Sequence, residues 1–151
     1  METQTLTATI EIAAPPERVW RVLTDVDRWH EWTPSITSAR RQGDAPFAVG
    51  TRVSVRQPRL LPAVWTITRI EPGRAFDWIS RMPGIEVVAH HGLAPNPAGT
   101  LATLSLEYRG PLAPLLAWMT RALTERYVAL EARGLKARSE YALFRHDGQR
   151  G

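Results

Sequence analysis

Residues 111–141 read PLAPLLAWMTRALTERYVALEARGLKARSEY, and within them Leu112, Leu116, Met119, Leu123, Tyr127, Leu130, Gly134, Ala137 and Tyr141 recur three or four residues apart. That spacing keeps one face of an α-helix apolar for roughly thirty residues, about 45 Å of rise. Gly110-Pro111 open the stretch, and proline suits a first helical turn because the N–H it lacks would have no intrahelical partner there. Nothing else in the chain is so long. A helix of this length needs a broad surface to cover, and the hundred or so residues before it supply short strand signals.

Leu6, Ala8, Ile10 and Ile12 alternate with Thr5, Thr7, Thr9 and Glu11, the period-two pattern of a strand with one dry face. Pro15-Pro16 stop it, and Val19, Trp20 and Leu23 give the short helix that follows an apolar side. Asp25 or Asp27 can cap a second short helix carrying Val26, Trp29 and Trp32, which ends before Pro34. Six further strands are expected at 36–41, 51–56, 64–70, 75–81, 85–93 and 101–109. They are divided by Gly43-Asp44, the segment 58–62, Pro72-Gly73, Pro83-Gly84 and the segment 95–99. Breaks about ten residues apart suit antiparallel hairpins. The reading is a single α+β domain over residues 1–145, with 146–151 as a frayed tail.

The 151 residues suffice for one domain, and 44% hydrophobic with 23% charged residues is ordinary for a globular protein. Cysteine is absent, which removes disulfides, thiolate nucleophiles and thiolate metal sites together. The first nine residues lack the apolar run of a signal peptide, and no apolar run approaches the ~20 residues of a membrane span. A cytoplasmic location is the resulting expectation. The net charge is +4, but the cations, nearly all arginine, are interleaved with Asp and Glu rather than gathered into a basic face, so nucleic acid is not the expected partner.

Ile12-Ala13-Ala14-Pro15 with Val19-Trp20, the run Asp25-Val26-Asp27-Arg28-Trp29 with Trp32, Trp65-Thr66-Ile67, His91-Gly92-Leu93-Ala94-Pro95 and Gly134-Leu135-Lys136 stand in that order along the chain. With the element order strand, two short helices, six strands and a long helix, the sequence resembles the polyketide cyclase/dehydrase and lipid transport family of the START-like (SRPBCC) superfamily. The resemblance implies a helix-grip fold, in which a curved seven-stranded antiparallel sheet wraps a C-terminal helix and leaves an apolar cavity. It also implies a hydrophobic or aromatic ligand, lipid- or polyketide-like, with cyclase or dehydratase activity in some members and carriage or sensing in others. A fold shared so widely does not choose among these.

Alternation places Ile85, Val87, Ala89, His91 and Leu93 on the apolar face of their strand. An imidazole there could serve as general acid or base, or be satisfied by a neighbouring strand. Tyr108 falls on the apolar side of the last strand, where its hydroxyl could orient a ligand or donate a proton, or belong to the core. His91 and Tyr108 are the catalytic candidates. Trp65, Ile67, Trp78 and Met82 from the strands, with Trp118, Met119, Leu123 and Tyr127 from the helix, are the candidate ligand-binding residues. Arg69, Arg81 and Arg126 could meet a ligand carboxylate but read more simply as surface residues, and Asp77 and Glu107 fall on the solvent side.

No metal or cofactor is expected. His30-Glu31 lacks a second histidine at helical spacing, and His90 and His91 leave opposite faces of one strand. Glycine patterns for phosphate or dinucleotide loops, and a nucleophile elbow, are missing. Two alternatives to a ligand-binding enzyme stand beside it: a non-enzymatic carrier, which needs only a dry cavity, and a protein or RNA interaction module, which needs a filled interior. Gly134 on the helix stripe is expected where the helix approaches the sheet closely.

Overall fold

The period-two segments form strands and the three-to-four period forms a helix, in the order the sequence indicates. The computed structural model describes residues 4–44 and 46–148, with side chains described through Tyr141. The strands are β1 (Gln4–Ile12), β2 (Ser38–Arg41), β3 (Arg52–Arg56), β4 (Ala63–Glu71), β5 (Ala75–Met82), β6 (Ile85–Asn96) and β7 (Gly99–Arg109). They make one open antiparallel sheet in the order β1-β7-β6-β5-β4-β3-β2. Only the β1–β7 pairing joins distant parts of the chain, so the two short helical segments sit between the two edge strands in sequence.

Helix α1 (Pro16–Thr24) starts on proline as expected. The second short segment, Val26–Glu31, is a 3₁₀ helix, and it is anchored by Trp29, whose indole Nε1 donates to the Leu23 carbonyl at 2.9 Å. β6 runs through Pro95 to Asn96, pairing Asn96 with Gly99, so the turn of that hairpin is the dipeptide Pro97-Ala98. β4 carries a bulge between Ile67 and Arg69. A bulge bends its strand and increases local twist.

The long helix α2 (Ala113–Gly148) lies across β1 and β7 and against α1. It continues through 146–148, part of the expected tail, while 149–151 lie outside the described residues. Its buried side differs from the stripe read in the sequence. The buried positions are Ala113, Thr124, Tyr127, Val128, Ala132, Leu135 and Ser139, whereas Leu112, Leu115, Trp118, Met119 and Tyr141 are exposed. Leu116, Tyr127 and Gly134 of the stripe do turn inward, but several other inward positions are polar, so counting apolar residues alone locates the face only in part.

α2 is gripped at two places. Near its start Ala113 joins Ile85, Val87 and Tyr108 in a small apolar cluster. Farther along, Val128 and Ala132 pack on Leu104, and Leu135 enters the main core with Trp29, Phe76 and Trp78. Between these contacts the helix bridges open space.

Candidate functional site

That space is a cavity of about 370 Å³ walled by the inner face of β4–β7, the β3–β4 loop and the middle of α2. The size suits a small organic ligand. The strands fix its walls through cross-strand register: Trp78 pairs with Ala89, Ser80 with Val87, Ala89 with Leu106 and Val87 with Tyr108, all on one face. Small residues such as Ala89 alternate with large ones there, which leaves the middle of the face hollow. Trp65 and Trp78 lie with ring centroids 5.5 Å apart and give the cavity a flat aromatic wall.

His91 is 4% exposed and forms part of that wall. Its ring stacks on Phe76 with centroids 4.1 Å apart, and Trp29 and Trp78 meet it edge-on. Nδ1 lies 3.2 Å from the Phe76 carbonyl, and a carbonyl only accepts, so Nδ1 carries the hydrogen. Nε2 is left facing Glu131 Oε1 at 3.5 Å. Both residues lie on the cavity lining, where a ligand can reach them. Tyr108, 7% exposed, donates its hydroxyl to Thr124 Oγ1 at 3.2 Å, on the same lining.

Trp65, Trp78, Met82 and Tyr127 line the cavity, Met82 at its rim with 43% exposure. Tyr127 also bonds through its hydroxyl to the Pro58 carbonyl, tying the β3–β4 loop to α2. Four other expected positions are placed elsewhere. Ile67 is packed in the main core, and Leu123 is half-buried outside the lining. Trp118 and Met119, 78% and 66% exposed, point away from the cavity because the inward side of α2 coincides with the apolar stripe only in part. The inward positions that apolar counting passed over are Thr120, Thr124 and Glu131. Glu131 stands four residues after Tyr127, so helical spacing from that one correctly placed residue was the signal available.

The opposite face of the sheet holds a charged network. His90 Nδ1 meets Asp77 Oδ1 at 3.0 Å and Nε2 faces Glu107 Oε2 at 3.5 Å. Arg69 bonds Asp77 and Glu71, Arg81 bonds Glu86, and Arg109 bonds Glu107. Arg69 and Arg81 are thus engaged outside the cavity, and Arg126 is exposed. Asp77 shares this outer face yet is only 7% exposed, since its neighbours cover it. The Arg109 hydrogen bond, aided by His90 and opposed by desolvation, holds the Glu107 carboxyl below its ordinary value. Among the described residues no group of three His, Cys, Asp or Glu could hold a metal ion, and no helix is long and apolar enough to cross a membrane.

An open antiparallel sheet closed over a cavity by one long helix defines a helix-grip protein with the architecture of hydrophobic-ligand binders. The chain belongs to the polyketide cyclase / dehydrase and lipid transport family, whose model matches residues 3–140. Its fold is similar to that of the Zhui aromatase/cyclase from a Streptomyces species, with 18% identity over 94% of this chain and 96% of that one and a TM-score of 0.72. It is also similar to norcoclaurine synthase from Thalictrum flavum, solved with dopamine and hydroxybenzaldehyde, at 16% identity, 94% and 87% coverage and a TM-score of 0.71. The di-domain aromatase/cyclase StfQ of the steffimycin pathway matches at 13% identity and a TM-score of 0.76, with 93% of this chain aligned to 52% of that one. No curated protein matches the chain in sequence.

Proposed function

We propose that this protein binds a hydrophobic, aromatic or polyketide-like small molecule in the cavity and catalyses a cyclisation or dehydration on it, with His91 and Glu131 exchanging the proton and Tyr108 orienting the substrate. The observation that carries this reading is the His91–Glu131 pair, 3.5 Å apart, on the lining of an otherwise aromatic and aliphatic cavity. Burying a charged or protonatable pair beside an apolar void costs stability, and such costs concentrate where chemistry is done. Trp65 and Trp78 supply a flat surface against which an aromatic or nascent ring can lie. Enclosure holds a flexible chain near the geometry in which its ends react, which lowers the entropic part of the barrier. Proton removal next to a carbonyl and loss of water both need one group that accepts a proton and returns it, and the pair provides that.

A carrier without catalysis is the second reading, favoured by the way His91 is held. Its stacking on Phe76 and its bond to the Phe76 carbonyl are also what a structural histidine in the core would have. The interaction-module reading needs a solid interior, which the cavity speaks against.

Native mass spectrometry of protein purified from its own host tests occupancy, and a bound lipid or polyketide is the expected result. With that ligand or its precursor in hand, His91→Gln and Glu131→Gln separate the two readings. Loss of turnover by roughly a hundredfold or more with affinity retained supports the enzyme. Absence of turnover by the unaltered protein leaves the carrier.

A further inference from the structure

Most arginines with carboxylates in reach are paired. Arg41 bonds Asp27, Arg69 bonds Glu71 and Asp77, Arg81 bonds Glu86, Arg109 bonds Glu107 and Arg121 bonds Glu125. Nine other arginines have no ion pair among the described residues, and two of these, Arg18 and Arg21, share one cleft. This second cleft, of about 220 Å³, lies between α1, the 3₁₀ helix and α2, and its lining includes Arg18, Arg21, Arg28 and Arg138 beside Trp32. The lining has one carboxylate, Asp25, whose contact to Arg28 is 3.5 Å. Arg138 reaches out to Glu31 at 2.9 Å. Among the described residues Arg18 and Arg21 have no ion-pair or side-chain hydrogen-bond partner for their guanidiniums.

Arg18 and Arg21 are three residues apart on α1, and like charges at that spacing weaken a helix. α1 has no side-chain hydrogen bond at its N-cap to offset this. Two further guanidiniums line the same cleft from other elements, each already meeting a carboxylate, Asp25 and Glu31, so the uncompensated repulsion there is that between Arg18 and Arg21. A bound anion would reverse the sign of that term. Guanidinium forks match phosphate oxygens in pairs, and several of them around one cleft favour a multiply charged phosphoryl group over a single carboxylate. Trp32, half-buried and braced by Trp29 at a centroid distance of 5.5 Å, closes one wall.

We propose that this cleft is a binding site for a small phosphorylated molecule, held through Arg18, Arg21, Arg28 and Arg138, separate from the cavity lined by His91. The proposal does not depend on the nature of the cavity ligand.

The test is calorimetric titration and thermal melting of the full chain with inorganic pyrophosphate, against sodium chloride at matched ionic strength. Arg18→Gln, Arg21→Gln and the double variant accompany it. Arg21 is exposed and Arg18 half-buried, and melting curves without added anion verify that the variants retain the fold. Saturable binding is expected, together with a rise in melting temperature beyond that in sodium chloride. Affinity should fall roughly tenfold for each arginine removed, as for one charge-assisted hydrogen bond. Failure of pyrophosphate to bind, binding that the double variant leaves unchanged, or an equal shift in sodium chloride each overturns the proposal. A parallel arm uses phosphatidylglycerol vesicles. Vesicle capture without pyrophosphate binding also overturns it, since the anion would then be a membrane surface.

Discussion

The backbone of Gly134 lies so close to Trp32 that a Cβ added to the glycine would stand 2.1 Å from the Trp32 carbonyl oxygen. This contact presses α2 against the end of the 3₁₀ helix and fixes how far the helix stands from the sheet. The open middle of α2 depends on that spacing. Gly134→Ala should therefore destabilise the protein by about 2 kcal/mol or more, although alanine is the better helix former by up to about 1 kcal/mol. Chemical denaturation measures this, and an unchanged midpoint would show that α2 is seated differently.

Ala89 sits between Trp78 and Leu106 on the cavity wall. Ala89→Phe should fill part of the void and keep the fold, with a melting temperature equal to or above that of the unaltered protein. Ligand affinity should drop by roughly tenfold or more, because a guest must then displace the ring at about 1–3 kcal/mol. Titration with the co-purified ligand is the measurement.

Glu140 accepts the backbone N–H of Ala13 at 2.8 Å and pairs with Lys136, joining the far part of α2 to the junction of β1 and α1. Partial burial raises its carboxyl pKa, but the bonds from Lys136 and Ala13 together outweigh this and hold it below the ordinary 4.5. A carboxyl depressed by folding contributes stability that is complete above its unfolded value and is lost as pH falls through the folded one. Glu140→Ala should cost about 1–3 kcal/mol at neutral pH. The difference should begin to narrow below the ordinary carboxyl value and close only as pH falls through the lower folded-state value, as unfolding curves across the acid range will report.

Ser139 is fully buried on α2, and its hydroxyl has no hydrogen-bond partner among the described residues. An orphaned buried hydroxyl costs free energy, so Ser139→Ala should be neutral or stabilising by up to about 1 kcal/mol. A lower melting temperature would mean that the hydroxyl is in fact satisfied.

Tyr127 links α2 to the loop carrying Pro58 at the cavity mouth. Tyr127→Phe should loosen that loop while costing the fold only about 1 kcal/mol, and hydrogen exchange should rise selectively in residues 57–62.

Strand positions, their antiparallel hairpin connections and the inward direction of His91 and Tyr108 were legible in the chain, whereas the pairing of β1 with β7 was not. Side-chain direction in a strand alternates with a period set by covalent geometry, so a few neighbouring residues suffice to read it. The existence of one long terminal helix was legible for the same reason. Which side of that helix turns inward was not, because Thr120, Thr124 and Glu131 face the cavity while Trp118 and Met119 face out. Thr124 and Glu131 meet Tyr108 on β7 and His91 on β6 across the gap, while Thr120 donates to the Leu116 carbonyl of its own helix. Tyr108 lies 16 residues from Thr124, and His91 and Glu131 are on separate elements of the chain. The cavity, the His91–Glu131 pair and the arginine-lined cleft arise where distant segments stop short of full contact or converge, and local patterns carry no record of such distances.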